Sequence, residues 1–253
     1  MSVSPSVRLR GVSKEFLLSH SGIGSIKTLL LWWQRRRLER LQVLKGIDLD
    51  IYPGACTALI GRNGAGKSTL LALIARVYKP TTGEIVVVGR LAPLLELGAG
   101  FHPDLTGIEN VLFNGVVLGL TRAQVRERLP SIVSFSGLEH HIDSPVRTYS
   151  SGMLARLGFS VAIHVDADVL IVDEVLAVGD LAFEERCYEK IAELRSEGKT
   201  VLFVSHDLDA ISRVAQRCVW LSDGVIAADG SPQEVIREYR AAIEGHESEP
   251  LTP

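Results

Sequence analysis

Three cysteines in 253 residues, at positions 56, 187 and 218, are too few and too widely spaced for a disulfide framework or a cysteine metal site. They read as buried thiols, and the chain as one kept in a reducing, cytosolic compartment. With only 10 prolines, and an apolar share of 46% against 23% charged, the composition excludes a collagenous, low-complexity or extensively disordered protein. No run of 18 apolar residues is free of charge, and the start MSVSPSVRLR has no apolar core. A spanning helix and a secretory leader are therefore not expected. Excess charge is missing too: 27 Lys and Arg against 30 Asp and Glu leave a net charge of -3. That balance argues against a nucleic-acid partner held by bulk positive charge. What is present is enough chain for one large domain or two small ones.

Strand and helix patterns alternate. VRLRGVSKEF (7–16) reads as a short edge strand and IDLDIYPG (47–54) as a strand with one wet face before a Pro-Gly turn. TALIG (57–61), EIVVVG (84–89), VLIVD (169–173) and TVLFVS (200–205) are further strands, and CVWLSDGVIAADG reads as a hairpin on its Asp-Gly pair. Helices are expected over KSTLLALIARVY (67–78), from the Asp-Leu-Thr-Gly stretch 104–107 and from Thr121, over about 181–196, after His206, and after the Ser231-Pro232 cap. Residues 105–165 are mainly helical. The pattern predicts an α/β core with a helical subdomain at about 101–165, and a flexible tail from 241 to 253.

The sharpest local signal is GRNGAGKST, Gly61 to Thr69, which satisfies G-x-x-x-x-G-K-[ST] between an apolar strand and a helix. Gly61, Asn63, Gly64, Ala65 and Gly66 form a loop whose N–H groups can surround a β-phosphate, at the positive end of the following helix. Lys67 would bridge the β- and γ-phosphates, Ser68 would ligate magnesium, and Thr69 extends the hydroxyl pair. A hundred residues on, VLIVDE carries Asp173 to a strand end, where it could hold magnesium through water. Glu174 follows, placed to polarise an attacking water. A P-loop and an Asp-Glu strand end are common to several ATPase classes, so these two motifs leave the class open.

YSSGM at 149–153, about 20 residues before Asp173 and opening a helix, supplies the discriminating feature. Here the sequence resembles the ATP-binding-cassette ATPases, whose signature at this place is usually LSGGQ. Tyr149, Ser151 and Met153 depart from that wording, while Ser150 and Gly152 keep it. The resemblance implies a P-loop NTPase (RecA-like) core with an antiparallel β subdomain and a helical subdomain, in a single nucleotide-binding domain spanning 1–253. It implies ATP and Mg2+ as cofactors. It also implies an anion nest of Ser150, Ser151 and Gly152 that reaches the γ-phosphate held by a second copy, His206 as the switch histidine, and Asp180 in the loop that follows Glu174. Phe16 is the adenine platform by the same resemblance. The glutamine of the hinge between core and helical subdomain is missing, so Glu96, or Leu97 beside it, is the substitute, with Glu96 near magnesium.

The wording ELGAGFHPDLTGIENV, YSSGMLARLGFSVAI and VLIVDEVLAVGD is similar to the subgroup that exports lipid-linked polysaccharides of the O-antigen, teichoic-acid or capsule type. That implies a homodimer of ATPase subunits with a separate integral permease, at the cytoplasmic face of the cell membrane. Another exported lipid or drug, and a soluble non-transport ATPase, remain as alternatives. The inserted segment 17–45 contains SIKTLLLWWQRRRLERL (25–41), apolar from Leu29 to Trp33 and then rich in arginine. It reads as a short amphipathic helix at a lipid or membrane-protein surface. The chain as read ends about ten residues after its last expected helix, so a carbohydrate-binding domain is not expected in it.

Overall fold

The structure is a computed structural model, and it describes residues 4–18, 39–94, 100–173 and 180–247. Two sheets organise it. A three-stranded antiparallel sheet runs β2 (Glu39–Ile51), β1 (Val7–Leu18), β4 (Thr82–Val87). A six-stranded sheet has the order β5 (Leu91–Leu94), β6 (Val169–Asp173), β7 (Thr200–Val204), β3 (Cys56–Ile60), β8 (Arg217–Ser222), β9 (Val225–Gly230). It is parallel except for the terminal β8–β9 hairpin.

β3 and β7 are buried at every position, as strands covered on both faces must be. Cys56, Ala58, Ile60, Val201 and Phe203 face one side, against α4 (Ser151–Ile163), α5 (Leu181–Ser196) and α6 (Leu208–Val214). Leu59, Leu202 and Val204 face the other, against α1 (Lys67–Ile74) and the three-stranded sheet. A third cluster lies within α2 (Gly107–Val117), α3 (Arg122–Ser136) and α4, built on Val111, Val125, Ile132, Leu157 and Val161. α7 (Pro232–Glu247) closes the far side of β8, with Tyr239 edge-on to Trp220 at 5.6 Å. Among the described residues no helix is long and apolar enough to cross a membrane. The three cysteines are free and buried, and burial pushes each thiol up to about 12.

Several expectations need correction. β1 is central in its sheet and extends to Leu18, whereas VRLRGVSKEF reads as an edge strand. β2 and β4 pair on its two sides, Arg8 and Arg10 meet Asp50 of β2, and Val7, Leu9 and Val12 are fully buried. β2 starts at Glu39, so residues 39–41 of the expected amphipathic helix belong to a strand; the remainder, with Trp32 and Trp33, lies outside the described residues. α1 stops at Ile74 instead of Tyr78, with Arg76 at a φ of 62°. α7 continues to Glu247, past the expected start of the tail at 241. The short strand LAPL was not expected, because its proline hides it from pattern reading.

Candidate functional site

The strand order β6–β7–β3 puts three sequence motifs at one end of the sheet. The P-loop leaves the carboxyl end of β3, Asp173 ends β6, and His206 lies two residues beyond the end of β7. Asp173 is the register partner of Val204, the last residue of β7. Ligands of parallel α/β sheets bind at this end, where helix N-termini and connecting loops converge.

The loop's shape depends on its glycines. Gly66, the N-cap of α1, has a φ of 104°, and a side chain there would meet Leu44 Cδ2 at 2.8 Å and the Val43 carbonyl oxygen at 3.2 Å. Gly64, at a φ of 82°, faces open space on its missing Cβ, so its conformation and not crowding requires glycine. Lys67 is buried, and its Nζ donates to the carbonyl oxygens of Gly61 at 2.8 Å and Arg62 at 3.2 Å. The ammonium is thereby held inside the loop that would cradle phosphate. Ser68 is exposed beside it and Thr69 half-buried. Arg62, Asn63, Gly64 and Ala65 also wall a cavity of about 440 Å³, with Trp220 and Tyr239 on its other side.

Ser68 and Asp173 contribute a hydroxyl and a carboxylate. Among the described residues, no group of three or more His, Cys, Asp or Glu is placed to hold a metal by itself. This donor set fits a hard cation such as magnesium that completes its shell with phosphate oxygens and water. Glu174, Glu96 and Leu97 lie outside the described residues.

His206 is exposed at the turn between β7 and α6, and Asp207 after it caps α6 by accepting from the N–H groups of Asp209 and Ala210. The Ser150 hydroxyl caps α4, accepting from the Met153 N–H at 3.2 Å, and Ser150 and Ser151 are exposed at that helix start. Tyr149, where the resembling family has leucine, is buried and donates its hydroxyl to the His141 carbonyl at 2.7 Å. Burial, with Asp143 nearby, raises its pKa. Asp180 caps α5 by accepting from the Phe183 N–H at 2.9 Å. Phe16 lies on β1 with its ring edge-on to Tyr78 at 5.5 Å, and the Lys14 ammonium sits 4.9 Å from the Phe16 ring centre.

Two positioning residues escaped sequence reading. Asn110 is fully buried; its amide donates to the carbonyls of His102, Leu105 and Thr106 and accepts from the His102 N–H, pinning the loop that enters the helical region. The signal for it was an asparagine on the apolar face of α2. Arg156 joins three elements, and nothing in its local sequence distinguishes it from a solvated arginine.

A family model described as ABC transporter matches residues 44–177. The O-antigen export system ATP-binding protein RfbB of Myxococcus xanthus is 49% identical over 219 residues, covering 85% of this chain and 50% of its own length. RfbB of Klebsiella pneumoniae is 45% identical over 249 residues, covering 95% of this chain and 100% of its own length. The chain thus spans half the length of the first relative and all of the second. Among solved structures, the dimeric post-hydrolysis state of the ATP-binding cassette MJ0796 bound to ADP and Pi matches with a TM-score of 0.74 at 21% identity. It covers 89% of this chain and 98% of its own, a likeness of fold. A P-loop at the end of β3, an aspartate at the end of β6, a histidine after β7 and these relatives agree: the chain belongs to the ABC transporter family and is one of its ATPases.

Proposed function

We propose that this ATPase drives export of a lipid-linked polysaccharide, of the O-antigen, teichoic-acid or capsule type, as a homodimer docked on a separate permease at the cytoplasmic face of the cell membrane. The observation that carries the substrate class is the full-length similarity to the Klebsiella protein, whose name assigns it to O-antigen export. Uptake and drug-export wording is absent from the signature and from VLIVDEVLAVGD.

In this reading the Gly61–Thr69 loop holds the nucleotide phosphates, Lys67 faces the β- and γ-groups, and Phe16 carries the adenine. Ser68 and Asp173 hold magnesium, which neutralises phosphate charge when bound. Glu174 takes a proton from the attacking water, and His206 orients the γ-phosphate. Ser150, Ser151 and Gly152, with Asp180, serve the nucleotide of the second copy. The helix start at Ser150 supports this, because Ser150 and Ser151 are exposed there and open to a second copy.

The permease contact is supported by α2, which leaves Phe113 55%, Val116 42% and Val117 65% exposed. Arg122 and Arg126 of α3 flank Phe113 and Val116 around a cavity of about 420 Å³. Glu109 also lines this cavity, so the rim carries both signs of charge, and the apolar face itself is what suits a partner's apolar segment.

Deleting the gene in its host and restoring it tests the reading. Intracellular accumulation of the lipid-linked glycan, relieved by the wild-type gene and not by Lys67→Ala, is expected. Normal surface glycan in the deletion strain, with loss of another lipid or of drug efflux, would reassign the substrate.

A further inference from the structure

Arg156 lies on α4 six residues after Ser150, with its side chain 22% exposed. Its Nε donates at 2.9 Å to the carbonyl oxygen of Ser136, the last residue of α3. Its Nη1 faces Asp180 Oδ2 at 3.7 Å. The guanidinium carbon stands 5.0 Å from the centre of the Phe183 ring, on the first turn of α5. Gly137, the C-cap of α3 with a left-handed φ of 64°, lies against the Arg156 guanidinium, which a Cβ there would displace. One side chain therefore touches the end of α3 and the start of α5 while rooted in α4.

The Asp180 carboxylate is divided between these contacts. One oxygen accepts from the Phe183 N–H as the helix cap, and the other faces Arg156. Phe183 is itself 3% exposed and packs edge-on against Phe135 of α3 and Phe159 of α4, at 5.7 and 6.2 Å. A planar cation can stack on an aromatic face and still donate from its edges, which an ammonium cannot do from one position. Arginine is the residue type this junction requires.

We propose that Arg156 is a positioning residue that fixes the Ser150–Gly152 helix start and Asp180 relative to one another, so that both meet the partner's nucleotide in one rigid piece. The proposal rests on the two-copy reading above.

The test uses the full chain carrying Glu174→Gln to slow hydrolysis, with and without Arg156→Lys, Arg156→Gln or Asp180→Asn. ATP-driven dimerisation is followed by sedimentation velocity, and monomer affinity with a fluorescent ATP analogue. The Arg156 variants are expected to weaken dimerisation at least tenfold while monomer affinity stays within twofold. Asp180→Asn keeps a cap acceptor and removes the charge facing Arg156, so it should weaken dimerisation in the same direction even where an Arg156 variant folds poorly. Combining it with Arg156→Lys should cost less than the two single effects multiplied. A lower melting temperature with dimerisation unchanged in every variant overturns the proposal. No ATP-driven dimer in the Glu174→Gln parent overturns the two-copy reading and the proposal with it.

Discussion

Lys67 and Gly61 are tied across the P-loop by a hydrogen bond of 2.8 Å from the ammonium to the carbonyl six residues earlier. Together with the Arg62 carbonyl at 3.2 Å, this keeps the cation buried at the start of α1, where β3 delivers the loop. A nucleotide entering the loop finds its counter-charge already in place, without the cost of ordering a free lysine side chain.

Lys67→Ala should therefore weaken nucleotide binding by the worth of a charge-assisted hydrogen bond, about 1.5–3 kcal/mol, or roughly ten- to a hundredfold. Titration of a fluorescent ATP analogue into both proteins measures it. Equal affinities would show that the ammonium never reaches phosphate.

Glu174→Gln should leave ATP binding intact and cut phosphate release by a factor on the order of 10² to 10⁴, since the amide keeps the shape and loses the basic oxygen. Steady-state phosphate release by the permease complex is the readout. A rate within twofold of wild type would remove Glu174 from the chemistry.

Mixed dimers separate one shared site from two local ones. One Lys67→Ala subunit paired with one Ser150→Arg subunit places both defects at one composite site and leaves the other intact. A dimer carrying both substitutions in both subunits has none. Nucleotide occupancy should differ between the two assemblies, and identical occupancy would contradict the head-to-tail arrangement.

The thiols of Cys56, Cys187 and Cys218 should resist a thiol reagent at pH 8 until the protein unfolds, because burial raises each from the ordinary value of 9.0 to about 12. Below pH 9 the thiols are protonated folded and unfolded, and between 9 and 12 the unfolded chain loses these protons first. Stability should fall as pH rises through that window, measured by denaturant titration. Rapid labelling of the native protein at pH 8 would refute the burial.

Leu30→Glu with Trp33→Glu should lower export while the core folds and binds ATP normally, if the arginine-rich insert works at the membrane face. Apolar side chains of this size each forgo about 1.5–3 kcal/mol when left in water, and unpaired guanidinium groups resist burial in the core. Circular dichroism and ATP affinity, set beside surface glycan in cells, decide it. An unfolded subunit would make these residues core, and full export would deny the insert a coupling role.

The features legible in the chain alone are those governed by short-range chemistry. The P-loop, the apolar VLIVD and TVLFV strands and the helix starts within 104–107 and at Thr121 each depend on residues within a few positions. Pattern reading failed where a partner distant in sequence was decisive. VRLRGVSKEF reads as an edge strand until β2 and β4, both distant in sequence, pair on its two sides, and Pro93 conceals a strand that only pairing with Ile171 reveals. Asp173 and His206 acquire a common location with the P-loop only because β7 inserts between β6 and β3, a strand order that hydrophobic periodicity does not encode. Arg156 is the extreme case: its contacts with Ser136, Asp180 and Phe183 come from two other helices, and only their packing turns a surface-type residue into a junction.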